Sequence, residues 1–223
     1  MPSIPGLPAA GAACFSGDSL VETVNCSKRL EQLELDEQVL VSISKDGAFN
    51  YQPVSTWYHR KPLQKINFIV LETSKRKLSL SAHHLIPLTD CNSSAKLDVS
   101  RAIDRSSFAH KAMPGQCLIA IEGGVFIAEP ITDVWQQFKV GIYSPVTAEG
   151  TIVVDGVLTS CFSSIENHQL QKSAHRLVAY FNMLADYLFG DLWFQPEETR
   201  EIPMLVDFLA KVAALVLPEE TVL

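Results

Sequence analysis

Gln38-Val39-Leu40-Val41-Ser42-Ile43, followed by Pro53-Val54-Ser55-Thr56-Trp57, returns later in the chain. The second copy reads Gln116-Cys117-Leu118-Ile119-Ala120-Ile121, followed by Pro130-Ile131-Thr132-Asp133-Val134-Trp135. In both places an apolar run gives way, after a turn, to a second run that opens on proline and reaches a tryptophan. The offset drifts by about one residue, as a hairpin-turn deletion would allow. A repeated supersecondary unit is the mark of a duplicated module. Two similar β units in one chain predict a fold with pseudo-two-fold symmetry.

The surrounding sequence agrees with a β fold. Lys45-Asp46-Gly47 separates Val39–Ile43 from the run Tyr51 to Tyr58, and Asp155-Gly156 separates Thr151–Val154 from Val157–Cys161. Asp-Gly between apolar runs is a strong hairpin signal, because both central positions of a tight hairpin turn favour positive φ. Asn67–Leu71 and Lys77–Ser81 predict another hairpin, with Lys75-Arg76-Lys77 as its solvated tip. Ser93 to Ala112 is polar and irregular and predicts a surface excursion with one helical turn. Residues 14–167 are therefore expected to be mostly β. Beyond them the period changes. Leu170, Ala174, Leu177, Val178, Phe181, Leu184, Ala185 and Leu188 recur at three and four, the spacing of an amphipathic helix. A second helix is expected from Pro203 through Leu205, Phe208, Leu209, Val212 and Val216, joined by an unusually apolar linker, Leu192-Trp193-Phe194. These helices either pack on the β domain or on each other, or else shelter a lipid-like ligand or lie against a membrane surface.

Composition narrows the classes. The chain has 223 residues, 47% hydrophobic and 19% charged, and a net charge of −7. That balance argues against nucleic acid as a partner, which needs a clustered basic surface. Cys14, Cys26, Cys91, Cys117 and Cys161 are an odd number, with no C-x-x-C pair, so neither a closed disulfide framework nor a zinc site is expected. At least one thiol should be free. No run of 18 apolar residues predicts a spanning helix. Residues 1–13 lack the basic and apolar regions of a signal peptide and read as a short leader, the remnant of an upstream peptide.

The chemistry gathers at two places. Cys14 opens the stretch Cys14-Phe15-Ser16-Gly17-Asp18-Ser19-Leu20-Val21, and its thiol reaches the Ala13 carbonyl through a five-membered ring. Attack there would turn the Ala13–Cys14 amide into a thioester, with proximity lowering the barrier by several kcal/mol. A Cys-Phe pair at a strand start is also a common way to bury a small hydrophobe. Ser79-Leu80-Ser81-Ala82-His83-His84-Leu85 follows directly on a strand. Ser81 and His84 could face one bond, the hydroxyl near its carbonyl and the imidazole protonating its leaving nitrogen. Two surface histidines are the competing reading, preferred for His83 and level with the functional one for His84.

Together these blocks resemble the Hint module, shared by inteins and by the autoprocessing half of Hedgehog proteins. The resemblance rests on Cys14 to Val21, on Asp36-Glu37-Gln38-Val39 and on Ser81-Ala82-His83-His84-Leu85. The stretch from Gly141 through Ser160-Cys161-Phe162 resembles the Hedgehog version, closest to the divergent Hedgehog-related proteins of nematodes. It implies a mostly β horseshoe built by duplication over 14–167, with a helical sterol-recognition-like extension over 168–223. It further implies self-cleavage at Ala13–Cys14 and transfer of the upstream peptide to a sterol or other alcohol. Cys14 would be the nucleophile, Ser81 would stand where the family has Thr, and His84 would promote the acyl shift. Cys161 would match a second family cysteine near the first. His59 occupies the place of an Asp that activates the acceptor, and an imidazole, ordinarily titrating near ~6.5, could serve instead. Leu192, Trp193, Phe194 and Phe208 would meet the lipid. The resemblance implies a monomer in the secretory pathway (the endoplasmic reticulum lumen), with no cofactor, no metal and the sterol as substrate only. Splicing is not expected, because the chain ends Glu220-Thr221-Val222-Leu223 without the Asn that cyclises. A Hint-like module that only hydrolyses its thioester, or that binds lipid or a partner without turnover, is the alternative. A cysteine hydrolase acting on other proteins lacks any substrate-recognition signal here.

Overall fold

Asp155 and Gly156 adopt φ of 51° and 72°, the paired positive values of a type I′ turn. The turn folds Thr151–Val154 back on Val157–Ser160 with Val154 facing Val157. Asp155 then ties this hairpin to the start of the chain: its carboxylate accepts from the Leu20 N–H at 2.8 Å, and its own N–H donates to the Leu20 carbonyl at 2.7 Å. The computed structural model describes residues 13–44, 47–91 and 97–162. Residues 168–223, where the helical extension and Leu192, Trp193, Phe194 and Phe208 fall, lie outside the described residues.

The duplication is visible element by element. The first unit runs β1 (Leu20–Glu22), β2 (Ser27–Arg29), a 3-10 turn (Leu30–Gln32), β3 (Gln38–Ile43), β4 (Phe49–Pro53), β5 (Thr56–Thr73) and β6 (Lys77–Leu80). The second runs β7 (Leu85–Ile86), β8 (Leu88–Asp90), α1 (Val99–Asp104), β9 (Ser107–Phe108), a 3-10 turn (Ala109–Lys111), β10 (Gln116–Glu122) and β11 (Val125–Val146). It closes with β12 (Thr151–Val154) and β13 (Val157–Ser160). Leu20 pairs with Arg29 as Leu85 pairs with Phe108. The Leu30 N–H donates to Ser19 O at 2.9 Å, and the Ala109 N–H donates to His84 O at 2.8 Å. Both 3-10 turns lead through a positive-φ residue, Asp36 (65°) and Gly115 (93°), into β3 and β10. Ser19 and His84 thus hold equivalent places, an equivalence that backbone hydrogen bonds impose.

β5 and β11 are the long arms of the two units, 18 and 22 residues. They pair antiparallel from Ile131–Thr73 to Val146–Thr56, with bulges on the way. The main sheet reads β2-β1-β12-β13-β10-β11-β5-β6, with β8 added on β10; β3–β4 and β7–β9 form separate pairs. One apolar core, including Phe15, Leu30, Leu71, Leu80, Leu118 and Val154, draws on both units.

Three expectations change. The run Tyr51 to Tyr58 is not one strand. It breaks at Val54-Ser55, where the Val54 N–H donates to Glu37 O at 3.0 Å and the Ser55 N–H to Val146 O at 2.8 Å, so the chain passes from β3 to β11. The tip Lys75-Arg76-Lys77 is not wholly solvated. Arg76 donates to Gly156 O at 2.7 Å and Ile121 O at 3.2 Å, and its Nε lies 3.0 Å from buried Glu129. Glu129 also accepts from Thr73. Cys91 and Cys117 form a disulfide between the end of β8 and the start of β10, while Cys14, Cys26 and Cys161 are free. Pairing of this kind depends on register, which cysteine counting does not supply.

Candidate active site

Phe15 positions Cys14. It is fully buried and bridges two strands, pairing antiparallel with Leu80 on one side and Tyr143 on the other. The Phe15 N–H donates to Tyr143 O at 2.8 Å, and the Tyr143 N–H returns to Phe15 O at 3.1 Å. Gly17 is needed beside this contact, because a Cβ there would lie 2.8 Å from the Tyr143 ring. The Cys14-Phe15-Ser16-Gly17 stretch is therefore a latch that fixes the chain on both sides of one cysteine. Cys14 itself is buried with Ile66, Phe68 and Ile142.

Ser81 meets the scissile amide directly. Its hydroxyl accepts from the Cys14 N–H at 3.0 Å, while its N–H donates to Cys14 O at 2.9 Å. His84 is fully buried and edge-on to Phe15, with ring centroids 4.3 Å apart. Its Nε2 lies 2.8 Å from the Ser160 carbonyl. A carbonyl only accepts, so Nε2 carries the proton and Nδ1 is the bare nitrogen, without a hydrogen-bond partner. Burial pulls the imidazole down to about 4, against the Ser160 carbonyl and the Cys14 backbone, which favour the protonated ring. The ring is neutral at pH 7. Burial also pushes the Cys14 thiol up to about 12, opposed by a smaller pull from Lys61. Such a thiol is ionised in only roughly one molecule in 10⁵ at pH 7, so attack needs a base at the moment it happens. His83, expected at the surface, is half-buried against Phe108 and His110, at ring distances of 5.4 and 5.2 Å.

His59 enters from β5. Tyr143 pairs with Arg60, and Ser144 with His59. One residue along from the Phe15 bridges, the register sets Ser81, Cys14, Ser144 and His59 side by side across four chain segments. Side chains paired across strands share a face, so Cys14 and His59 lie on one face with Ser144 between them. Ser144 is 1% exposed, and its hydroxyl has no hydrogen-bond partner. Its place is set by strands more than eighty residues apart, a relation that leaves no spacing in the sequence. Its only local signal is a hydroxyl among the apolar neighbours Ile142, Tyr143, Pro145 and Val146. Cys161 belongs to the main core rather than to the Cys14 cluster. It is buried, 3.8 Å from Thr147 Oγ1, and burial pushes its thiol up to about 11. It follows Ser160, whose carbonyl holds His84. Cys14 and Cys161 are thus related through His84, not by direct packing in one cluster. Among the described residues no cluster of His, Cys, Asp and Glu could hold a metal ion.

Residues 5–218 match the Hint module. The chain belongs to the Hint module family. Its relatives include Protein qua-1 of Caenorhabditis elegans, 41% identical over 94% of this chain and 19% of that protein. Warthog protein 6 of the same species is 30% identical over 99% of the chain and 36% of the relative. Indian hedgehog B protein of Danio rerio is 33% identical over 80% of the chain and 43% of the relative. The chain thus spans less than half the length of these curated relatives. Among solved structures, the Ssp DnaB mini-intein variant M86 superposes with a TM-score of 0.52 at 14% identity, covering 68% of this chain and 94% of the intein. A DnaB intein from Synechocystis also gives 0.52 at 13% identity, covering 67% and 98%. These likenesses show a Hint fold, and the expectation of a mostly β duplicated module holds.

Proposed function

We propose that this Hint module cleaves its own backbone between Ala13 and Cys14 through a thioester and passes the upstream acyl group to an alcohol. The observation that carries this reading is the gathering of three residues at one stretch of chain: the buried Cys14 thiol, half-buried Ser81 whose hydroxyl accepts from the Cys14 N–H, and buried, neutral His84, edge-on to Phe15 and beside the Cys14 backbone with Nδ1 bare. Cys14 Sγ attacks the Ala13 carbonyl carbon while His84 takes the thiol proton. The same proton then passes to the Cys14 nitrogen as the C–N bond breaks, leaving a thioester and a free amine. A ring with its conjugate acid near 4 releases that proton readily. Ser81, accepting from the N–H, makes the nitrogen more basic as it leaves.

In the second step the alcohol oxygen bonds to the thioester carbon as His59 accepts its proton, the C–S bond breaks, and Cys14 leaves as a thiolate that takes up the proton from His59. Its place on the same face as Cys14, one strand beyond Ser144, favours that role. A sterol is the first acceptor to try, because Hedgehog proteins stand among the relatives, and residues 168–223 are the segment proposed to hold it. The Cys91–Cys117 disulfide favours an oxidising compartment such as the endoplasmic reticulum lumen. The test is the mass of the released N-terminal fragment, with and without sterol. An ester at Ala13 is expected from the natural chain. His59→Ala should lose the ester yet keep cleavage by hydroxylamine, which attacks a thioester without reducing disulfides. Release as the free acid alone, whatever alcohol is added, would instead establish a module that only hydrolyses.

A further inference from the structure

Any attack on the Ala13 carbonyl, by Cys14 or later by an alcohol, throws negative charge onto its oxygen, and the site must offer that oxygen a donor. Ser81 is on the wrong side. The Cys14 N–H points at Ser81 Oγ, and the described chain has no cis peptide bond. In a trans peptide the C=O points opposite to the N–H. The Ala13 oxygen therefore faces away from Ser81, toward the strand on the other side of Phe15, where Tyr143 and Ser144 run. Tyr143 spends its N–H and C=O on Phe15. In an antiparallel ladder the next residue's N–H and C=O then turn to the opposite neighbour, here β5. What Ser144 presents to Ala13–Cys14 is its side chain.

We propose that the Ser144 hydroxyl is the oxyanion donor of the cleavage reaction, a catalytic residue that stabilises the charge on the Ala13 oxygen in both steps. The inference rests on cleavage at Ala13–Cys14 as the reaction. Two facts converge on it. A buried hydroxyl without a partner is costly and calls for an explanation. This one sits at the same depth as the reacting atoms, with Ala13 and Cys14 each 2% exposed and Ser144 1%. A donor unpaired in the resting amide and paired only when the carbonyl oxygen becomes anionic binds the transition state better than the ground state. The balance of the step is unchanged. Sγ–C forms, C–N breaks, the thiol proton goes by way of His84 to the Cys14 nitrogen, and Ser144 keeps its own proton throughout.

The experiment follows hydroxylamine-induced release from the full 223-residue chain, in the natural protein, Ser144→Ala and Ser144→Thr, with thermal melts of each. Ser144→Ala should slow release about 100-fold, the loss typical of one oxyanion donor. Its Tm should hold or rise, because the lost hydroxyl was unpaired. Ser144→Thr, which keeps the hydroxyl, should recover most of the rate. Release from Ser144→Ala within about twofold of the natural rate overturns the donor role and leaves cleavage itself standing. So does an equal slowing in both variants accompanied by a fall in Tm, which marks a packing defect. No release from the natural chain overturns both readings at once.

Discussion

His84 is a base kept dry, and two consequences of that are measurable. A neutral imidazole with a folded value near 4, against about 6.5 unfolded, binds its proton more weakly in the native state. The unfolded chain therefore takes up more protons between those values. Stability is fully present above pH 6.5 and is lost as pH falls from about 6.5 toward 4, by about 3 kcal/mol from this residue alone. Urea melts at pH 7 and pH 5 on the natural chain and His84→Asn should show a steeper loss for the natural chain. The second consequence is kinetic. His84→Ala should slow hydroxylamine release about 100-fold or more, while His83→Ala, packed on Phe108 and His110, should stay within a fewfold; equal effects would move the proton transfer elsewhere. Ser81 and His84 were legible in the sequence because three residues of local chain fix their relation to each other. Ser144 was not, because only the register of Tyr143 on Phe15 brings it beside Cys14. Strand pairing of that kind leaves no mark at a fixed spacing.

At the scale of elements, the hairpins were readable where turn chemistry dictates them, as at Asp155-Gly156. Strand extents were not. β5 and β11 run through Pro62, Pro130 and Gly141: Pro130 pairs with Cys117 of β10, and Pro62 and Gly141 fall where the register shifts between Val140–Lys65 and Ile142–Lys61, so pairing resumes beyond the local breakers. Arg76 shows the same limit. A basic triplet at a hairpin tip reads as solvated, yet this arginine joins the β5–β6 tip to the β12–β13 turn and to β10, against a glutamate 4% exposed. Removing one member of a buried pair strands the other. Arg76→Met should therefore cost about 3–5 kcal/mol, read as a drop in the urea midpoint. Arg76→Met combined with Glu129→Gln should recover much of it. A single variant as stable as the natural chain would mean the pair is weaker than its burial implies.

For the whole molecule, duplication explains how a cleavage site can be assembled from distant residues. The equivalence of Ser19 and His84, each accepting the first N–H of a 3-10 turn, shows one backbone frame used twice. In one copy the frame orders the latch after Cys14; in the other it buries a histidine edge-on against Phe15 of that latch. The sequence repeat made the frame legible, whereas the docking of the two copies, which puts Cys14 between β6 and β11, emerges only from packing. The proposed chemistry turns on one covalent intermediate. Its most direct test is the intact mass of the 223-residue chain and of Cys14→Ala after identical incubation with and without hydroxylamine. The natural chain should release residues 1–13 as the Ala13 hydroxamate, leaving a fragment that begins with Cys14, and Cys14→Ala should stay whole. The same release from Cys14→Ala, or a natural chain that stays whole or breaks at another bond, would contradict it.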